Sequence, residues 1–239
     1  MISPKGKLYL IPSLLGPGDS IRSLPEFNMQ IILRLNEFIV EEERTARRFM
    51  RSIGYTRSFD EVRLHVLNEH TKTDDTSPYL KSAREGLDIG LLSEAGVPCI
   101  ADPGATIVRQ AHLAGITVVP LVGPSSLLLA LMASGMNGQH FTFHGYLPAK
   151  TDERARKLKM IEKDACSQHA TQLFIETPYR NMSMLESILQ HCQPSTLLCI
   201  ACDLTLETEF IATRTVAEWK KNLPVLGKRP AVFLLAEGY

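Results

Sequence analysis

The chain has 239 residues, 44% hydrophobic and 22% charged, enough to bury a sizeable core as one large domain or two small ones. Lysine plus arginine and aspartate plus glutamate each number 26, so no global field draws polyanions; a non-specific nucleic-acid coat is excluded and any such contact rests on a local patch. No stretch approaches the roughly 20 apolar residues of a membrane span, and the opening MISPKGKLYLIPS is broken too soon by proline for a secretory signal, which makes the cytoplasm the expected compartment.

In chain order, strands are predicted at KLYLIP, NEFIVE, RLHVL, DIGLLS, ITVVPLV, FTFHGYL, TQLFIET, TLLCIAC, EFIATRT and AVFLLAE. Helices are predicted around Ser20 to Leu35, Glu43 to Ile53, Pro78 to Glu85, Ala105 to Leu113, Ser125 to Ser134, Asp152 to Asp164, Pro178 to His191 and Val216 to Asn222. This alternation defines an α/β chain whose sheets are covered on both faces. TLLCIAC and EFIATRT follow one another without a helix, which predicts a mixed sheet in the second half against a mostly parallel one in the first. GPSS and SGMNGQH punctuate the chain after residue 121, so two domains are expected, 1–122 and 123–239, joined near Val122 to Pro124.

Five cysteines at irregular spacing argue against a disulfide framework. The one CxxC, Cys199 to Cys202, lies in a strand that sends positions three apart to opposite faces, so it reads as core. The seven histidines are scattered, with no HExxH, and no metal site is expected. His140 and His144 flank FTFHGYL and are read as structural.

Three strand-to-helix turns share a glycine and proline-rich character: IPSLLGPGDS, SEAGVPCIADPG and VGPSS. Ligands in α/β sheets bind beyond the carboxyl ends of the strands, so these turns are expected to converge on one crevice. Gly16, Gly18, Gly96 and Gly123 serve either tight turns or close approach of backbone to a ligand. Asp102 is read as an N-cap ahead of Pro103. In VGPSS, Pro124 is expected to open a helix, leaving Ser125 and Ser126 either as caps or as an anion site. Neither GxGxxG, GxxxxGK[ST] nor GxSxG is present, which disfavours ordinary NAD enzymes, NTPases and α/β hydrolases.

Gly16-Pro17-Gly18-Asp19, LLSEAGVPCIADPG, VVPLVGPSSLLLALMASGM, FTFHGYLPAK, the ETPYR from Glu176 and the DLTLETE from Asp203 occur in an order that resembles the tetrapyrrole methylase superfamily. Within it, the chain is similar to the 16S ribosomal RNA cytidine 2′-O-methyltransferase family, over nearly its whole length. The resemblance implies two αβα domains, usually in a homodimer, with S-adenosylmethionine folded into the cleft between them. It assigns cofactor binding to Ser93, Glu94, Ala95, Gly96, Val97, Ile100, Ser125 and Ser126, with Pro12 and the Gly16 to Asp19 turn beside it. It implies 16S ribosomal RNA or the small ribosomal subunit as partner, and neither membrane nor metal.

The chain departs from the family's pattern at four places. Glu-Asp-Thr-Arg appears as Glu41-Glu42-Glu43-Arg44, and Ser-Asp-Ala-Gly as Ser93-Glu94-Ala95-Gly96. Lys-Gly-Glu is replaced by Lys228-Arg229-Pro230, and the Lys of Glu-Leu-Thr-Lys by Leu206. For a base acting on a weakly nucleophilic ribose hydroxyl, the candidates are Glu41, Glu42, Glu43, Glu176 and Asp203; Glu41, Arg44 and Glu176 are singled out as catalytic. EEERTARR also reads as a helix start with charges ordered to suit the dipole, and Arg44, Arg47, Arg48 and Arg51 as either a phosphate-contacting strip or a solvated face. Methylation of a tetrapyrrole-type small molecule and a non-catalytic cofactor-binding role stand as alternatives.

Overall fold

The computed structural model describes residues 4–17, 20–68, 70–71 and 73–238, so Gly18 and Asp19 of the first turn lie outside the described residues. The chain divides into two units, Met1–Ser125 and Ser126–Tyr239.

The first unit carries β1 (Lys7–Ile11), α1 (Ser20–Ser23), α2 (Glu26–Arg34), β2 (Glu37–Val40), α3 (Glu43–Ser52), β3 (Arg63–Val66), a 3₁₀ segment (Thr73–Leu80), α4 (Lys81–Arg84), β4 (Ile89–Leu92), α5 (Ala105–Leu113) and β5 (Thr117–Pro120). Its strands form one sheet in the order β3-β2-β4-β1-β5, all pairs parallel. Alternation along each strand sorts the core onto two faces. Tyr9, Ile11, Phe38 and Val40 meet Ile31 and Ile32 of α2 and Phe49 and Met50 of α3. Leu8, Ile39, Ile89 and Leu91 meet Leu80, Ala83, Ile107 and Ala111 on the other side.

The helix expected over Ser20 to Leu35 is two helices. Pro25 sits ahead of α2 with ψ 144, and a proline pushes the residue before it out of helical geometry, which separates α1 from α2. Similarly, most of the segment around Pro78 is 3₁₀, with only Lys81–Arg84 in an α-helix.

The second unit carries α6 (Ser126–Ser134), β6 (Phe141–Tyr146), α7 (Thr151–Gln168), β7 (Thr171–Glu176), a 3₁₀ turn (Pro178–Arg180), α8 (Asn181–His191), β8 (Leu197–Cys202), β9 (Phe210–Thr215), α9 (Val216–Lys221) and β10 (Ala231–Ala236). Its sheet, β6-β7-β10-β8-β9, is mixed: β6 and β7 are parallel and the other neighbours antiparallel. Leu158, Ile161, Leu185, Ile188 and Trp219 pack over Phe174, Leu198, Ile200 and Phe233. The Trp219 indole N–H donates to Leu198 O at 2.9 Å, which satisfies the polar end of a fully buried ring.

Candidate active site

Register fixes where the first unit's strands end. Ile11 and Val40 both pair with Leu92, so β1, β4 and β2 finish at one level and Pro12, Ser93 and Glu41 leave the sheet side by side. With neighbouring strands ~4.8 Å apart, the three exits span about 10 Å.

The turns beyond these exits touch. Ser13 N donates to Gly96 O at 2.9 Å and Ser93 N to Ile11 O at 3.5 Å, joining the turn after β1 to the turn after β4. The turn after β5 closes the set. A β-carbon on Gly123 would lie 2.2 Å from Pro12 Cγ, and one on Gly96, itself at φ +73, would lie 3.0 Å from both Pro124 O and Leu15 Cδ2. These two glycines therefore let loop pack on loop; the approach they permit is between turns of the chain. Asn28 Nδ2 donates to Val122 O at 2.6 Å and ties this rim to α2.

Glu41, at the end of β2, flanks the rim beside the turn after β4. It lines a crevice with Ser13, Thr45, Phe49, Ser93 and Glu94, a second with Leu67, Asp102 and Pro103, and an open depression of about 450 Å³ with Asn68, His70, Glu94 and Ala101. Among the described residues its carboxylate accepts one long hydrogen bond, from Glu94 N at 3.4 Å. Desolvation raises its pKa, opposed by that backbone donor and reinforced by the carboxylates of Asp102 and Glu94. Behind it, Ser13 Oγ is buried and has no hydrogen-bond partner among the described residues.

The turn after β4 is held in an unusual shape. Cys99 and Ala101 take left-handed backbone, φ 69 and 61. Asp102 Oδ1 accepts from Cys99 N at 2.7 Å and Gly104 N at 3.0 Å. The helix that follows begins at Ala105, capped by Gly104 without any side chain. Asp102 is thus a brace inside the turn, not the N-cap expected from Asp-Pro-Gly, because its carboxylate is engaged three residues back. Likewise α6 begins at Ser126, two residues beyond Pro124.

The other acidic candidates are engaged elsewhere. Glu42 caps α3, accepting from Arg44 N, Thr45 N and the Thr45 hydroxyl, and these bonds lower its pKa. The family's Asp at this position is also a preferred cap, so the substitution preserves the local chemistry. Glu43 pairs with Arg47 at 2.6 Å. Arg44 is exposed in the first turn of α3, with no side-chain hydrogen bond or ion pair among the described residues.

Glu176 has a fully buried side chain whose Oε1 receives Arg180 Nη2 at 2.6 Å, Arg180 Nε at 2.9 Å and Thr177 N at 2.6 Å. Oε1 so held anchors Arg180, while Oε2 is buried without a hydrogen-bond partner among the described residues. Asp203, at φ 49, is paired with Arg229 and accepts from the Thr208 hydroxyl. Asn181 Nδ2 donates to Arg229 O, and Lys228 lies 4.7 Å from the Tyr179 ring centroid. ETPYR, DLTLETE and Lys228-Arg229-Pro230 therefore meet at one end of the second sheet, with Arg229 bonded into the cluster.

Of the cofactor residues expected from the sequence, Ser93 and Gly96 are buried in the rim, and Glu94, Ala95 and Ile100 are exposed along it. Val97 and Ser125 are half-buried, and Pro12 is buried against the position of Gly123. Ser126 opens α6. Sequence reasoning missed Ser13; its place directly after Pro12, at a strand's carboxyl end, was the available signal. Cys199 and Cys202 are buried on β8, and burial pushes the Cys202 thiol up to about 11 and that of Cys99 to about 12, so neither is a ready nucleophile. Among the described residues no group of three or more His, Cys, Asp or Glu could hold a metal ion, and no helix is long and apolar enough to cross a membrane.

A parallel sheet whose strand-end turns meet beside a half-buried carboxyl frames the candidate site, and the chain that carries it belongs to the Tetrapyrrole (Corrin/Porphyrin) Methylases, whose model matches residues 28–220. It is a methyltransferase, and its chemistry draws on a methyl donor. Within that family it is similar to the ribosomal RNA small subunit methyltransferase I of Escherichia coli O157:H7, 31% identical over 221 residues, covering 91% of this chain and 73% of the relative. The protein of the same description from Haemophilus influenzae is 28% identical over 236 residues, covering 98% and 79%. Among solved structures, the methyltransferase CobJ superposes with a TM-score of 0.63 at 18% identity, covering 97% of this chain and 94% of that one. The uroporphyrin-III-C-methyltransferase from Thermus thermophilus gives 0.56 at 17%, covering 97% and 92%. Both show the fold.

Proposed function

We propose that this protein transfers a methyl group from S-adenosylmethionine to a ribose 2′-hydroxyl of small-subunit ribosomal RNA, with Glu41 as general base. The observation that carries the reading is Glu41 itself: a desolvated carboxyl of raised pKa, weakly hydrogen-bonded, where the exits of β1, β2 and β4 meet. The likeness to ribosomal RNA small subunit methyltransferases supports the acceptor.

The rim fits the donor. A buried hydroxyl on Ser13, without a partner among the described residues, and the exposed carboxylate of Glu94 suit a ligand that is cationic and rich in hydrogen-bonding groups. Pro12, Ser93, Glu94, Ala95, Gly96, Val97, Ile100, Ser125 and Ser126, joined by Ser13, are proposed to hold it. When bound, S-adenosylmethionine supplies an electrophilic methyl on a sulfonium. Glu41 takes the proton of the attacking hydroxyl, and a raised pKa makes it a better acceptor than an exposed carboxylate. Arg44, one step along α3, is proposed to hold a neighbouring phosphate. Ribosomal RNA as acceptor places the work in the cytoplasm. The family likeness supports a homodimer, for which the exposed Leu128, Met132 and Phe141 offer apolar surface.

The test is methyl transfer from labelled S-adenosylmethionine to purified 30S subunits, to uroporphyrinogen, or to neither, with wild type and Glu41→Gln. Labelled 16S RNA with wild type alone is the expected result. Labelled porphyrinoid overturns the acceptor, and cofactor binding without any transfer overturns the activity.

A further inference from the structure

We infer that the exposed face of α3 is the track on which the RNA backbone lies as it enters the site; this rests on the ribosomal RNA reading above. Residues turn by about 100° along an α-helix, so Arg44, Arg47, Arg48 and Arg51 fall within an arc of roughly 100°. Ala46, Phe49 and Met50 point the other way and are buried. The stripe is ~10 Å long at 1.5 Å per residue, and it starts beside Glu42, which lines the same depression as Glu41.

Its positive charge is only partly offset by its surroundings. Glu42, whose oxygens are taken up by the first turn of α3, acts on Arg44 through space, and Glu43 pairs with Arg47. The Arg51 guanidinium donates to a neutral carbonyl, Tyr55 O, at 2.5 Å. Arg44 and Arg48 have no side-chain hydrogen bond or ion pair among the described residues. Four arginines against the carboxylates of Glu42 and Glu43 leave a net positive stripe on a chain with zero formal net charge, a concentrated feature. The stripe is also preorganised. Phe59 lies under two guanidiniums, with Arg51 4.4 Å and Arg47 5.4 Å from the ring centroid, and Tyr55 stacks on Phe59 in turn, 6.0 Å between centroids. Planar cations held over a ring suit both phosphate oxygens and the faces of unstacked bases.

The test is binding of wild type and variants to a fluorescent 16S RNA transcript across a salt series, with calorimetry against S-adenosylmethionine alongside. The Arg48→Gln/Arg51→Gln double variant is expected to flatten the plot of log affinity against log salt by about 1.4, ~0.7 for each phosphate of single-stranded RNA no longer neutralised. Its affinity at 0.15 M salt should fall at least tenfold, with cofactor affinity unchanged. Arg48→Lys/Arg51→Lys should keep the slope, and Arg156→Gln/Lys159→Gln on α7, which removes equal charge elsewhere, should leave binding at the wild-type level. An unchanged slope in the first variant, or an equal loss in the α7 control, overturns the track while leaving the methyltransferase reading in place. Failure of the wild type to bind the transcript overturns both, and polyglutamate competing as well as RNA overturns the track as an RNA surface.

Discussion

Glu41 owes its raised pKa first to burial and then to the turn after β4, which supplies a long hydrogen bond from Glu94 N and the carboxylates of Asp102 and Glu94 that oppose its ionisation. Glu41→Gln should therefore lower turnover by about 10²–10⁴-fold, the usual worth of a positioned base, while calorimetry shows cofactor affinity little changed. In the wild type the single-turnover rate should climb with pH through a value above the ordinary carboxylate range, and that limb should vanish in the variant. The sign for stability is opposite. A folded-state pKa raised above the unfolded one stabilises only at pH below the unfolded value, and this contribution is lost as pH rises through the folded value. Glu41→Gln should thus melt no lower than wild type at neutral pH, separating a functional residue from a structural one. Gly123→Ala makes the contrasting case: its methyl would collide with Pro12, costing about 1–3 kcal/mol in urea unfolding and weakening cofactor binding as the rim opens. Glu41 was legible because a carboxylate directly after FIV has to sit at a strand's carboxyl end. Glu176 looked equivalent after TQLFI; its capture by Arg180, four residues on and across a 3₁₀ turn, depends on side-chain geometry that strand periodicity does not encode. The left-handed backbone at Cys99 and Ala101 was invisible for a related reason, since neither residue is a type that favours it.

At the level of elements, α3 joins the base to the arginine track, with its cap beside the depression and its arginines leading away. Hydrogen bonds from Thr45 and Arg44 hold the Glu42 carboxylate below its ordinary pKa. A depressed folded-state pKa stabilises above the unfolded value and stops doing so as pH falls through the folded one. Glu42→Ala should lower the melting temperature by a few degrees near neutrality, and the gap from wild type should close in acid when melts are followed by circular dichroism. Every strand was legible from its apolar run, because a buried β-strand has few ways to be written. Helix breaks were harder. Pro25 carried the signal that divides α1 from α2, but the amphipathic pattern around it runs on and outweighs one residue. Asp102 misled because Asp-Pro-Gly is a good helix opening in isolation, whereas here the carboxylate closes the preceding turn upon itself.

For the molecule as a whole, the parallel sheet of the first half and the mixed sheet of the second followed from whether helices separate successive strands. Strand order did not. That β4 lies between β1 and β2 is decided by which long-range pairing buries most surface, and local periodicity says only which side chains share a face. The second unit's core is centred on Trp219, the one tryptophan of the chain. Trp219→Ala should cost about 3–5 kcal/mol in urea unfolding followed by circular dichroism, combining an aromatic-sized cavity with a carbonyl left unpaired. The described rim from Pro12 to Pro124, with Ser13 and Glu41 beside it, is drawn wholly from the first unit. If that rim holds the donor as proposed, most substitutions in the second unit leave it unchanged, Ser126 excepted. A lineage built this way would keep the proposed methyl chemistry while exchanging acceptors.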